Sequence, residues 1–292
     1  MLGLGLALAS LEIGCASSTA THDDAWTARL SGPTIALLGE VHDNPEHHRL
    51  RAAALRDAFA RGWRPAVVME QFDLERQADI ERARRERPDD AQHVIDQAGG
   101  GAGWHWPDYR PLVALALAHG LPLLAGNVSR ATTSRLARED YAALGRERVA
   151  AWKLDAPPDD AWQAAQEHEI DLGHCGALPR RMWPALARGQ FARDAAMAHL
   201  LAQHAARGAV LLAGNGHVRR DLGVPRWLAR QGAPSALAVG FLERGAQQGD
   251  ADAAGRYDAV VLTAAAVRAD PCEAFRARPL PSATSRSDFQ RA

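Results

Sequence analysis

Leu37-Leu38-Gly39-Glu40-Val41-His42-Asp43-Asn44-Pro45-Glu46-His47-His48 decides how this chain is read, because its character changes abruptly along the stretch. Residues 34–38 have the length and composition of a short buried strand. Asn44 followed by Pro45 supplies an N-cap and a first helical residue. Glu40 and His42 lie between the two, where the strand ends. On the helix, His48 shares a face with Ala52, Leu55 and Phe59 and is expected to point inward; His47, one residue round, is expected to be solvated. Acids and imidazoles leaving the carboxyl end of a strand are how a parallel α/β sheet presents ligand-binding groups.

The same pattern recurs along the chain. Residues 66–70 form a second short apolar run ending in Glu70, which would emerge beside Glu40 if the two strands were neighbours. A third run at 121–125 closes in Gly126-Asn127, and a fourth at 209–213 is followed by Gly214-Asn215-Gly216-His217. Strand patterns at 235–242 and 257–264 complete the set. Between them, 129–207 has helical periodicity with Pro and Gly breaks and no strand signal, which is too long for a plain crossover and predicts an inserted helical lobe. The fold class is therefore α/β, a mostly parallel central sheet flanked by helices and carrying that lobe.

Composition narrows the function. The 292 residues are 47% apolar and 24% charged with a formal charge of −1, which gives nucleic acid no general electrostatic attraction. Residues 1–20 read as an export leader: the apolar run is too short to span a bilayer, and Gly14-Cys15 followed by Ala16-Ser17-Ser18 resembles a bacterial lipoprotein cleavage box. Glu12 and the absence of an early Lys or Arg depart from that box. Lipid at Cys15 would tether the protein to a bacterial (outer) membrane. Cys175 and Cys272 then either pair in an oxidising compartment or remain unrelated thiols. The main domain spans 30–270, and 271–292 has the composition of a disordered tail.

The rim predicted from these strands carries Glu40, His42, Glu70, Asn127 and His217, with His48 aimed at it. Two or more imidazoles with carboxylates suit a divalent metal, held by Glu40, His42, His48 and His217, or acid–base chemistry through Glu40 and Glu70. The glycine run 99–103 reads as a mobile loop. Beside it, Trp104, Trp106 and Tyr109 either cover a flat apolar ligand or pack helix 107–119 against the sheet.

Gly39-Glu40-Val41-His42-Asp43-Asn44 with His48, Met69-Glu70, residues 106–111, Gly126-Asn127, His174-Cys175-Gly176, the 190–198 stretch Gln-Phe-Ala-Arg-Asp-Ala-Ala-Met-Ala and Gly214-Asn215-Gly216-His217 together resemble the ChaN-like haem-binding lipoproteins, a branch of the TIKI/erythromycin esterase superfamily. The resemblance covers about 34–265. It implies haem as cofactor and partner, iron acquisition as setting, and a homodimer as one arrangement. Tyr109 is the first candidate for the iron, with His174, His217 and Met197 as others, Trp106 as a stacking surface and Arg110 as a propionate partner. Related branches imply the alternative of a metal-dependent protease or esterase. The chain has no HExxH or GxSxG, and no CxxCH for covalent haem attachment.

Overall fold

The computed structural model describes residues 25–99, 103–245, 255–270 and 272–273. The leader with Cys15, the centre of the glycine run and nearly all of the tail lie outside the described residues. Six strands make one parallel sheet: β1 (Ile35–Leu38), β2 (Ala66–Asp73), β3 (Leu123–Asn127), β4 (Ala209–Leu212), β5 (Leu237–Glu243) and β6 (Ala259–Thr263), in the order β3-β2-β4-β1-β5-β6. Each strand is apolar on both sides because helices cover both faces. Alternation within β1 shows it: Ala36 and Leu38 enter one core, Ile35 and Leu37 the other.

The first core is covered by α1 (Ala25–Ala28), α2 (Pro45–Ala60), α3 (Gln77–Glu86), α4 (Ala91–Ala98) and α5 (Trp106–Ala118). The opposite core holds α6 (Arg130–Glu139), α7 (Arg146–Ala151), α8 (Asp160–Gly173) and α9 (Trp183–Gln203), the helical lobe between β3 and β4. After β4 come α10 (Asn215–Val218) and α11 (Val224–Arg230), also on that face. The helix predicted from Asn44-Pro45 is α2, where Asn44 is the N-cap and accepts from the Glu46 amide at 3.0 Å.

One expectation about the sheet is corrected. The strands ending near Glu40 and Glu70 are not neighbours, since β4 is inserted between β1 and β2. Strand β2 also runs three residues past Glu70, with a register shift between Met69 and Asp73. This topology positions the site: β1 leads to α2 on one face, and adjacent β4 leads to α10 and α11 on the other. Their connections part at the carboxyl ends and leave a crevice there.

Asn215 fixes the crevice geometry. Its amide N–H donates to the Glu40 carbonyl at 2.9 Å, while its side chain donates to the Phe241 carbonyl at 2.6 Å and accepts from the Phe241 amide at 3.1 Å. Gly39 makes room for it, because a Cβ there would stand 2.2 Å from Asn215 Oδ1. Asn215→Ala leaves both main-chain groups of Phe241 without these partners and is expected to cost about 2 kcal/mol of stability. A urea midpoint with unchanged m-value would show this, and a loss below about 0.5 kcal/mol would mean that water replaces the bridge at little cost.

Candidate functional site at the strand ends

Glu40 is the centre of the site. Its carboxylate is completely buried against Arg51, itself fully buried and forming an ion pair with Oε2. At the other oxygen, Oε1, Tyr109 donates from its hydroxyl at 2.7 Å, His42 meets it through Nδ1 at 2.8 Å and Gln71 reaches it at 3.4 Å. Burial lowers Arg51 to about 10, still charged at neutral pH, with Tyr109 and Glu70 opposing that fall. Burial raises the Tyr109 phenol well above its ordinary value, so it remains a protonated donor.

His42 differs from the other histidines of the opening stretch. With Nδ1 donating to Glu40, Nε2 carries the lone pair in the neutral ring, and it has no hydrogen-bond partner among the described residues. The side chain is 49% exposed, its ring standing edge-on to Trp104 at 4.9 Å. His48 is buried, as expected, yet both nitrogens are committed: Nε2 donates to the His42 carbonyl at 2.9 Å and Nδ1 accepts from Arg51 at 3.0 Å. Burial lowers its pKa. His47 is not solvated. It is buried between the Val41 amide, which donates to Nδ1 at 3.0 Å, and the Thr263 hydroxyl at 2.8 Å from Nε2. Burial lowers His47 to about 4 despite the opposing charge of Glu243. The partner that draws it inward comes from β6, far along the chain.

A second cluster faces the first across Gly214. Glu70 accepts from the Gly214 amide at 2.8 Å and meets His217 Nε2 at 3.3 Å, while Asp194, on α9, meets His217 Nδ1 at 2.6 Å. Burial disfavours the His217 imidazolium, but the two carboxylates outweigh it and raise the group to about 10. For Glu70 burial pulls upward, and His217 carries it well below the ordinary carboxylate value. Burial pushes Asp194 up, opposed by His217. A carboxylate as acidic as Glu70 is poorly matched to proton abstraction at neutral pH. A Cβ on Gly214 would lie 2.8 Å from the His42 ring and 3.7 Å from Glu70 Oε2, so the two clusters converge there.

Between them and the lobe opens a cavity of about 720 Å³, floored by Glu40, His42, Gly214 and His217 and walled by Ile170, Leu222, Leu242 and Tyr257. His174 stands on the lobe wall, its Nδ1 donating to the Ile170 carbonyl at 2.7 Å. The adjacent Cys175 is disulfide-bonded to Cys272, which resolves the alternative left open by the sequence. Other residues named from the sequence lie elsewhere. Tyr109 is sealed beneath Glu40, Trp106 packs on Phe72 at 5.0 Å, and exposed Arg110 borders a separate groove with Arg87. Asn127 donates to Asp73 at 2.8 Å, and Met197 is buried in the core.

Among the described residues no group of three or more His, Cys, Asp and Glu is arranged to hold a metal ion. His48 commits its ring nitrogens to the His42 carbonyl and Arg51, and His217 commits both of its own to Glu70 and Asp194. The donor set therefore does not fit a divalent-metal centre built from Glu40, His42, His48 and His217. Arg51, Gln71 and Trp104 complete the first cluster. Arg51 could have been read from its spacing, since it lies three residues after His48 and four before Leu55 on the buried stripe.

The parallel sheet with its crevice at the β1–β4 divergence defines an α/β fold with a helical lobe inserted between β3 and β4. Residues 26–228 match the family described as haem-binding uptake, Tiki superfamily, ChaN, and the chain belongs to that family. A solved structure described as cofacial haem binding to ChaN of Campylobacter jejuni is similar in fold: TM-score 0.59, 19% identity, covering 76% of this chain and 86% of that one. A Bacillus cereus structure is more distant, with TM-score 0.36 and 12% identity over 75% of this chain and 68% of its own. No curated protein matches.

The charge state of His217 is testable by NMR. With a folded value near 10 against an unfolded 6.5, this imidazolium contributes stability that is fully present below pH 6.5 and lost as pH rises toward 10. Glu70, depressed from 4.5, contributes stability present above that pH and lost as pH falls through its lowered value. His217 is expected to stay protonated through pH 8 in wild type and to titrate lower in Glu70→Gln. A wild-type imidazole titrating near 6.5 would contradict the assignment.

Proposed function

We propose that the protein binds haem in the cavity above the strand ends, as part of bacterial iron or haem acquisition. The observation that carries this reading is His42. Its imidazole is oriented by Glu40 and offers an unpartnered Nε2 to a cavity whose volume falls within the roughly 300–1,000 Å³ of ligand sites. Family membership supports this ligand class, and so does the character of the cavity residues. Ile170, Leu222, Leu242 and Tyr257 offer apolar area to a flat macrocycle; His42 is the foremost nitrogen donor, with His174 and Tyr257 on the walls. When bound, the iron supplies the coordination site that such donors recognise. Within this proposal Tyr109 supports the floor through Glu40, and His217 contributes positive charge. Export through residues 1–20, lipid at Cys15 and a homodimer belong to the same proposal. Among the described residues no helix is long and apolar enough to cross a membrane.

One observation favours a second, hydrolytic reading that needs no metal. The Glu40–His42 pair has the arrangement of an oriented general base, and His217, held by Glu70 and Asp194, lies across Gly214 from it.

Adding hemin to the purified protein is expected to produce a saturable Soret change. His42→Ala should alter its position or remove it, while Tyr109→Phe should leave the bound spectrum in place. A Soret change that does not saturate, together with ester hydrolysis abolished in His42→Ala, would overturn the haem reading in favour of the second.

A further inference from the structure

We propose that Arg256 anchors an acidic group of the ligand, which makes the cavity selective for apolar molecules carrying a carboxylate or similar anion. The proposal deepens the haem reading, because haem carries two propionates, but its basis is the charge inventory of the cavity rather than the identity of the macrocycle.

Almost every charge lining the cavity is already matched by the protein. Glu40 is paired with Arg51 below the floor. Asp194 is paired with His217 at 2.6 Å, and Glu243 with Arg268 at 2.6 Å. Arg219 meets Glu169 at 2.7 Å and also forks onto Asp221, at 2.9 and 2.6 Å. Arg256 is the exception: it lines the same cavity, yet among the described residues it has no ion pair and no side-chain hydrogen bond. The acid that feels its charge, Asp221, gives its carboxylate to Arg219, which it shares with Glu169; the two acids balance the two arginines in sum, and what Arg256 keeps unengaged is its N–H donors.

Its place is fixed even though its charge is not. The Arg256 carbonyl accepts from the Arg220 amide at 2.8 Å, tying this residue to the turn between α10 and α11. The next residue, Tyr257, lays its ring against Gly240, where a Cβ would sit 2.9 Å from the ring atoms. The neighbouring aromatic wall and the Ile170–Leu222 wall would hold an apolar body, and the half-buried guanidinium would take its anionic end. A guanidinium suits this task because its planar fork accepts a carboxylate through two parallel N–H bonds and cannot be neutralised near physiological pH. Arg110, the cation chosen from sequence, borders another groove and is not among the residues lining this cavity.

The test uses the full chain and two matched pairs of probes: hemin against hemin dimethyl ester, in which both carboxylates are capped, and 1-anilinonaphthalene-8-sulfonate against the neutral N-phenyl-1-naphthylamine. Wild type is expected to prefer the anionic member of each pair. Arg256→Gln should weaken the anionic member by about tenfold to a hundredfold, leave the neutral member unchanged and preserve the Soret position of bound hemin. Arg256→Lys should restore part of the preference. If neither hemin nor its ester binds while the sulfonate still depends on Arg256, the haem reading fails and the anchor stands. If Arg256→Gln weakens both members of each pair equally, or wild type does not discriminate within either pair, the anchor is overturned.

Discussion

The buried ion pair between Glu40 and Arg51 is the constraint on which the rest of the site depends. A carboxylate fully removed from water is tolerated only when opposite charge and hydrogen-bond donors replace the lost hydration, and here Arg51, Tyr109, His42 and Gln71 do so. These partners come from α2, α5, the β1 loop and β2. One acid thus joins four separate segments. It also fixes the His42 tautomer, because the nitrogen facing Glu40 must carry the proton. What His42 presents to the cavity is a consequence of what lies underneath it.

The fold makes this convergence possible through β4. Inserted between β1 and β2, it brings Gly214, Asn215 and His217 into the gap between two acids that are distant in sequence. Gly214 carries its amide to Glu70, and its lack of a side chain leaves the space beside the His42 ring open. On the far side of the crevice the lobe contributes Asp194, Ile170 and His174. The disulfide between Cys175 and Cys272 ties that wall to the segment following β6, whose Arg268 grips Glu243 and Asp43. The cavity is therefore bounded by parts of the chain that cannot separate without breaking a covalent bond or buried polar contacts.

Much of the fold was legible because short apolar runs ending in glycine and a polar residue are what doubly covered parallel strands require. The helical lobe announced itself by lacking such runs. Strand order was not legible, since no local pattern records that β4 enters between β1 and β2. At the site, Glu40, His42, Glu70 and His217 were readable as strand-end groups, but their partners were not. His47 looks solvated until Thr263 is brought to it, and nothing local to Tyr109 tells that its hydroxyl donates to Glu40. Arg256 was hidden in a polar, glycine-containing loop, where an arginine is ordinarily solvated; only the pairing of every other cavity charge distinguishes it.

The central claim, that the Glu40–Arg51 pair organises the rim, is tested most directly by a double-mutant cycle in denaturant unfolding. Glu40→Gln and Arg51→Met should each cost about 3–5 kcal/mol, because each leaves a buried partner uncompensated, while the double variant should cost far less than their sum. Additive losses, or single losses below about 1 kcal/mol, would show that the two groups are energetically independent and would contradict the account.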